Sequence, residues 1–389
     1  MLTTLEWLLD PVGRVEFREQ HYGRKALLIR GHPGKFADLF TWDDLNRLLN
    51  ALSYPHFNVE VAAAGVRSQP ATAASLVEQC RAGASLIFTQ MQMYEPKLGE
   101  LARAIEAEIG EPMFVSLVLS QPSQVAFPRH YDRQDVFVLQ IDGDKAWSVH
   151  DPTVIKPVVD MYEDGDDSAS HLSMECELAP GDVLYVPRGH WHEALAQRGT
   201  SLHLSLGISA RTGIDFLAWL INELRSEVRF RHELPLSFAG EPAELRERHL
   251  RDHVAELAEI LQSRLADPET IQSFIKHCVL SDRDVRRFKL PAQLFEAPGT
   301  QLGIRHFSRP ARQRFLLEDG PTAELIALNV WGHIFHFPKT ARPLVEFIVS
   351  RTAFAYEDAL AHAGELTEQG IWEVLDPLLR EGILDAADE

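Results

Sequence analysis

Cysteine is scarce in this chain: 389 residues hold only Cys80, Cys176 and Cys278. The three are far apart and form no C-x-x-C pair, so neither a disulfide framework nor a thiolate zinc site is indicated. No apolar run reaches the ~18 residues that a membrane-spanning helix needs. The opening stretch MLTTLEWLLDPVG lacks the basic segment and apolar segment of a secretory leader. These absences predict a cytoplasmic protein of a reducing compartment. Positive charge is also short: 38 Lys and Arg stand against 57 Asp and Glu, a net charge of -19 at pH 7. A general nucleic-acid binder usually shows a basic face, so no direct nucleic-acid binding is expected. The same balance suits a cationic protein or peptide partner.

What is present is apolar content, 45% of the residues. That is too much chain for one ordinary core and predicts two or three domains. Residues 1–105 read as mixed α/β. Leu5, Leu8 and Leu9 are helix-spaced, Ala26 to Arg30 is a short strand, and Thr41 caps a helix that has acids in its first turn. Residues 97–109 form an amphipathic helix closed by Gly110. From Met113 to Ile208 short β-rich runs alternate with turn residues, the texture of a sandwich or barrel. An acidic loop, residues 161–168, interrupts them and could attract a cationic peptide.

After Thr212 the pattern turns helical. Thr212 and Asp215 form a capping-box-like pair, and Ile214, Leu217, Leu220, Ile221, Leu224 and Val228 share one face. A second helix covers about 243–265, with Leu250, Val254, Leu257 and Leu261 on its stripe, and Asp267-Pro268 ends it. This apolar surface exceeds what one barrel wall readily covers, and predicts a homodimer through this segment. The expected division is 1–211 (barrel core about 111–210), a helical dimerisation segment at 212–299, and a small α+β unit at 300–389. In the last unit, helices are expected near 322–331, 341–350, 355–362 and 368–380.

The chemistry lies in two stretches. The first is Pro128-Arg129-His130-Tyr131-Asp132, then VFVLQI, Asp142-Gly143 and Asp144-Lys145-Ala146-Trp147. In extended chain, residues two apart point the same way, so His130 and Asp132 aim an imidazole and a carboxylate at one point. The second stretch runs Pro180-Gly181-Asp182-Val183-Leu184-Tyr185-Val186-Pro187-Arg188-Gly189-His190-Trp191-His192 and delivers another histidine. Two histidines and one carboxylate leave one side of a metal open, the facial arrangement of non-haem iron(II) oxygenases. Zinc hydrolases keep a more closed set. Asp142-Gly143 is a favoured two-residue hairpin turn. Pairing across it sets Lys145 opposite Gln140, on the parity of His130 and Asp132, so that Lys145 faces the interior. A lysine inside a barrel needs an anion, and the far carboxylate of 2-oxoglutarate would serve. A straight strand from Asp132 to Gln140 would span roughly 26 Å at ~3.3 Å per residue, so the chain bends after Asp132 or the register differs.

These stretches resemble the JmjC-type cupins of the ribosomal oxygenase group, the cupin-4 family. The pattern H-Y-D-x-x-x-V-F-x-L-Q-x-x-G-x-K/R-x-W is met by His130, Tyr131, Asp132, Val136, Phe137, Leu139, Gln140, Gly143, Lys145 and Trp147. The pattern P-G-D-x-L-Y-x-P-x-G-x-x-H is met from Pro180 to His192. The resemblance implies a double-stranded β-helix (a jelly-roll barrel) in a mixed α+β chain, with a helical dimerisation segment and a C-terminal winged-helix-like domain. It implies Fe(II) held by His130, Asp132 and His192 rather than His190, with 2-oxoglutarate on Lys145 and O2 as cosubstrate. His203 and Ser205 fall on a strand where the family places polar groups near the oxoglutarate or metal. Asp144 and Ala146 depart from the basic residues of some bacterial members. The implied activity is hydroxylation of an arginine or histidine side chain of a protein or peptide, with a basic ribosomal protein as one candidate. Residues 300–389 carry 8 Lys and Arg against 14 Asp and Glu, so a winged helix there suits protein contacts better than DNA. Two other classes remain open. A cupin metalloenzyme without oxoglutarate would show no succinate release coupled to oxygen uptake, and a catalytically silent binding module would fail an iron titration.

Overall fold

The computed structural model describes residues 4–51, 59–63, 66–69, 73–122, 127–158, 161, 170–236, 242–280, 304–309, 315–330 and 333–387. Apart from Met161, the acidic stretch 161–168 lies outside these residues, as does the expected boundary at 299/300. The chain divides into two compact units, residues 1–210 and 211–389. No described helix is long and apolar enough to cross a membrane.

The first unit contains β1 (Leu27–Ile29), β2 (Val59–Ala63), β3 (Val66–Ser68), β4 (Ser85–Phe88), β5 (Met113–Ser120), β6 (His130–Tyr131), β7 (Asp135–Asp142), β8 (Lys145–His150), β9 (Leu172–Leu178), β10 (Val183–Val186), β11 (Trp191–Ala196) and β12 (Ser201–Ile208). An eight-stranded sheet runs β1-β10-β7-β12-β5-β4-β2-β3, and a four-stranded sheet runs β6-β11-β8-β9. From β5 to β12 the chain passes between the two sheets at every connection except β8 to β9. That interleaving is a double-stranded β-helix, and its strands pair antiparallel.

Period-two alternation sorts the side chains of the larger sheet. Leu202, Leu204, Leu206 and Ile208 of β12, with Phe137 and Leu139 of β7, join a core that also holds Leu8, Leu98, Leu101 and Ile105 from the N-terminal helices. Residues of the other parity, Val138, Leu184 and Val186, meet Trp147, Val149 and Leu178 inside the barrel. Both faces of β7 are therefore covered, which is why its sequence reads as a nearly unbroken apolar run. Helix Pro96–Ile109 begins with Pro96 at its first turn and ends on Gly110 at φ 91°, a backbone state that suits glycine. Thr41 and Asp44 cap one another at the start of helix Trp42–Ala51.

The expected Asp142-Gly143 hairpin does not form. β7 and β8 lie in different sheets, and Asp142-Gly143 is a crossover between them. Lys145 pairs with Ala196 and Leu178, not with Gln140. Gly143 has φ 65°, and a Cβ there would stand 2.3 Å from the Thr200 carbonyl oxygen, so this turn needs glycine. The bend expected after Asp132 is present: β6 belongs to the smaller sheet and β7 to the larger.

In the second unit, helix Gly213–Glu223 carries the capping box of Thr212 and Asp215. Phe216 and Trp219 stack on each other, and Phe274 of helix Pro268–Leu280 meets Phe216 edge-on and Trp219 at a tilt. Helix Ala243–Ala266 has no buried residue. β13 (His306–Ser308), β14 (Leu316–Asp319), β15 (Leu325–Val330), β16 (His333–Pro338), β17 (Ala353–Ala355) and β18 (Asp385–Ala387) form two three-stranded sheets. Helices Arg342–Ser350, Tyr356–Ala361 and Glu368–Arg380 pack over one core, around Leu344, Ile348, Trp372 and Leu375. The helix expected at 322–331 is instead β15, central in its sheet and buried along most of its length.

Candidate metal centre

β6 and β11 pair with His130 directly opposite His192, so the backbone ladder alone sets the two imidazoles side by side. Their ring centroids are 4.5 Å apart. Asp132, at the start of the bend, reaches back with Oδ1 4.0 Å from His130 Nε2 and Oδ2 3.6 Å from His192 Nε2. One donor atom from each of the three lies within 4.8 Å of the others.

The orientation of both rings is held from behind. His130 Nδ1 is 3.0 Å from the Pro128 carbonyl oxygen, and His192 Nδ1 is 3.0 Å from that of His190. A carbonyl can only accept, so each Nδ1 carries the proton and each Nε2 presents a lone pair to the centre. This backing of a ligating imidazole is characteristic of metal sites. Burial holds the His192 imidazole well below its ordinary pKa; repulsion from His130 adds to this, and Asp132 opposes it. The ring is therefore neutral near pH 7, the form a metal requires. His190 stays outside the cluster. Its ring is buried, and its contribution is the carbonyl that orients His192.

The donors open on a cavity of about 750 Å3 inside the barrel. Lys145 reaches it from β8 and is 4% exposed. Its Nζ donates to Ser120 Oγ at 2.8 Å, and among the described residues no carboxylate pairs with it. Burial alone lowers its pKa from 10.5 to about 7. His203 and Ser205, of the same parity on β12, also line the cavity. His203 is buried with its Nδ1 unpartnered among the described residues, and burial together with Lys145 pushes it well below the ordinary imidazole pKa. An amine whose charged form is disfavoured by burial and has no counter-ion regains that form when an anion enters beside it.

Parts of the wall had no sequence signal. Phe114 lies flat against Gly207, where a Cβ would meet its ring at 2.1 Å. Arg67 of β3 sits over the Phe127 ring at 4.7 Å and pairs with Glu60, and both Arg67 and Phe127 line the cavity. The Pro180-Gly181-Asp182 motif also has a mechanical reading. Asp182 accepts from Gly31 N and Ala179 N at 2.9 and 3.0 Å, and a Cβ on Gly181 would fall 2.0 Å from the His32 carbonyl oxygen.

Residues 88–216 match the family model described as JmjC domain. Ribosomal oxygenase 1 of Rattus norvegicus is 30% identical over 256 residues, which covers 60% of this chain and 42% of that protein. Ribosomal oxygenase 2 of Mus musculus is 27% identical over 302 residues, covering 70% and 63%. The chain thus spans about two fifths of the length of the ribosomal oxygenase 1 relatives it matches. Among solved structures, Escherichia coli ribosomal oxygenase YcfD aligns with a TM-score of 0.58 at 17% identity, covering 96% of this chain and 98% of that one. YcfD in complex with cobalt and 2-oxoglutarate aligns with a TM-score of 0.58 at 18% identity. These structures establish a common fold.

Proposed function

We propose that this chain, which carries a JmjC domain of the ribosomal-oxygenase-like kind, is an Fe(II)- and 2-oxoglutarate-dependent oxygenase that hydroxylates an amino-acid side chain of a protein or peptide. The observation that carries this reading is the pairing, within one cavity, of a three-donor centre with a buried, unpaired lysine. The donor set suits iron(II): two imidazoles and one carboxylate, grouped on one side. His130, Asp132 and His192 hold the metal, and Lys145, with Ser120 beside it, receives the far carboxylate of 2-oxoglutarate. His203 and Ser205 complete the polar wall. When bound, the metal and cosubstrate supply oxidation of an unactivated C–H bond by O2, with succinate and carbon dioxide as coproducts.

The protein's part is placement and exclusion of water. Val138, Trp147 and Val186 make the cavity around the donors apolar, which strengthens the Lys145 interaction. The substrate is an arginine- or histidine-type side chain, and a basic ribosomal protein fits both the net charge of -19 and the names of the relatives. The setting is cytoplasmic. The chain acts as a homodimer through helices at about 212–265, where Ile214, Ile221 and Val254 are each more than half exposed. The strands and helices of 304–387 form a winged-helix-like module that contacts protein rather than nucleic acid. Succinate release by the purified chain, dependent on Fe(II), 2-oxoglutarate and O2, tests the reaction. Mass spectrometry for the gain of one oxygen atom on proteins, from cells with and without the chain, identifies the substrate. No succinate from metal-loaded protein supplied with such a protein extract refutes the reading.

A further inference from the structure

Two crossovers between the sheets lie against each other beside the metal donors. Residues 132–134 carry the chain from β6 to β7, and residues 187–190 carry it from β10 to β11. Gly189 N donates to the Asp132 carbonyl oxygen at 2.9 Å. Asp135, the first residue of β7, spans the same junction with its side chain. Its Oδ1 accepts from Arg188 N at 3.1 Å and from the Tyr185 hydroxyl at 3.0 Å. Tyr185 is held in turn by Gly23 N, which donates to its oxygen at 2.8 Å. Asp135 and Tyr185 are both buried, and Asp135 does not line the cavity.

The first crossover begins at Asp132. The second ends at His190, whose carbonyl orients the His192 ring. A shift of Arg188 to His190 therefore moves the acceptor that aims the third donor. We propose that Asp135 is a positioning residue for the metal: its carboxylate ties the two crossovers together and sets the spacing of Asp132 from His192. A buried carboxylate three residues from a donor would otherwise be costly to keep. Here its two donors come from the loop and the strand that lead to His192.

The inference rests on the metal site proposed above, and Co(II) titration of the purified full chain, followed by calorimetry, tests the two separately. Loss of an outer partner of a metal ligand lowers affinity about tenfold to a hundredfold, and Asp135→Ala is expected to fall in that range. Asp135→Asn keeps a carbonyl acceptor for both donors and should stay within about threefold of wild type. Leu101→Ala, a core change on helix Pro96–Ile109, serves as a control for general destabilisation and should leave Co(II) affinity unchanged. If Asp135→Ala does not fold, Tyr185→Phe decides: it removes one of the two donors, and unaltered Co(II) affinity overturns the proposal. A folded Asp135→Ala protein that binds Co(II) like wild type overturns it too, as does an equal loss in Asp135→Ala and Leu101→Ala. Wild-type protein that binds no Co(II), or binds it equally well as His130→Ala, overturns the metal site and this inference with it.

Discussion

Lys145→Ala should weaken 2-oxoglutarate binding by roughly 30- to 1,000-fold and leave metal binding in place. Removing one partner of a buried ion pair costs about 3–5 kcal/mol, because the other charge is left uncompensated. Part of that is already offset in the ligand-free protein. Burial lowers Lys145 to about 7, so at about pH 8 most of the population is neutral, and restoring the proton costs on the order of 1 kcal/mol. The remainder, about 2–4 kcal/mol, corresponds to the stated range. The same balance fixes a pH dependence. Below about 7 the free amine is charged and affinity is flat; above it each binding event takes up a proton, so affinity falls, approaching about tenfold per pH unit. Calorimetric titration of 2-oxoglutarate into Co(II)-loaded protein, in buffers of different ionisation enthalpy, reads both affinity and proton uptake. An unchanged dissociation constant in the alanine variant, or the same pH slope in both proteins, would remove Lys145 from the site.

Lys145→Met should raise the melting temperature of the ligand-free protein while lowering activity, a gain on the order of 1–4 kcal/mol. The folded pKa lies below the unfolded one, so the penalty of the lysine is complete below about 7 and fades as pH rises toward 10.5; equal melting at pH 6.5 and 9.5 would contradict it. His192→Ala should abolish oxoglutarate turnover, whereas His190→Ala, which keeps the backbone carbonyl behind His192, should retain it; a dead His190→Ala beside an active His192→Ala reverses the assignment. Val254→Glu places a charge on the exposed face of helix Ala243–Ala266 and should give a monomer by sedimentation. Wild-type chain that already sediments at 43.9 kDa at micromolar concentration removes the dimer.

The grouping of His130, Asp132 and His192 was legible because two local rules act on them. Strand parity put His130 and Asp132 on one side, and the Pro180–His192 motif supplied a second strand of matching kind. The parity argument for Lys145 placed it inside through a hairpin that is not there; it faces inward because it belongs to the smaller sheet, whose alternation begins afresh after Gly143. Sheet membership is a long-range property, and Asp142-Gly143 fits a crossover as well as a hairpin. The run Ala323–Val330 misled for a related reason: a short apolar stretch of good helix formers is also what a central strand looks like. Helix Pro268–Leu280 was hidden behind Asp267-Pro268, which ends one helix and, with proline at the first position, starts the next. Asp135 gave no signal, since its partners are a backbone amide and a tyrosine some fifty residues away.

On β12, adjacent positions answer to different pressures. Leu202, Leu204, Leu206 and Ile208 are fully buried against the N-terminal helices and supply that strand's share of the folding free energy. His203, Ser205 and Gly207 face the cavity. Drift at Ser205 alters what the cavity admits without drawing on those apolar contacts, whereas Gly207 is held to glycine by the Phe114 ring. The polar face of this strand can therefore change while the scaffold stays above its stability threshold. The same arrangement separates two kinds of damage: losses at Leu202, Leu204, Leu206 or Ile208 deplete the folded protein, and losses at His203 or Ser205 alter the cavity of the protein that remains.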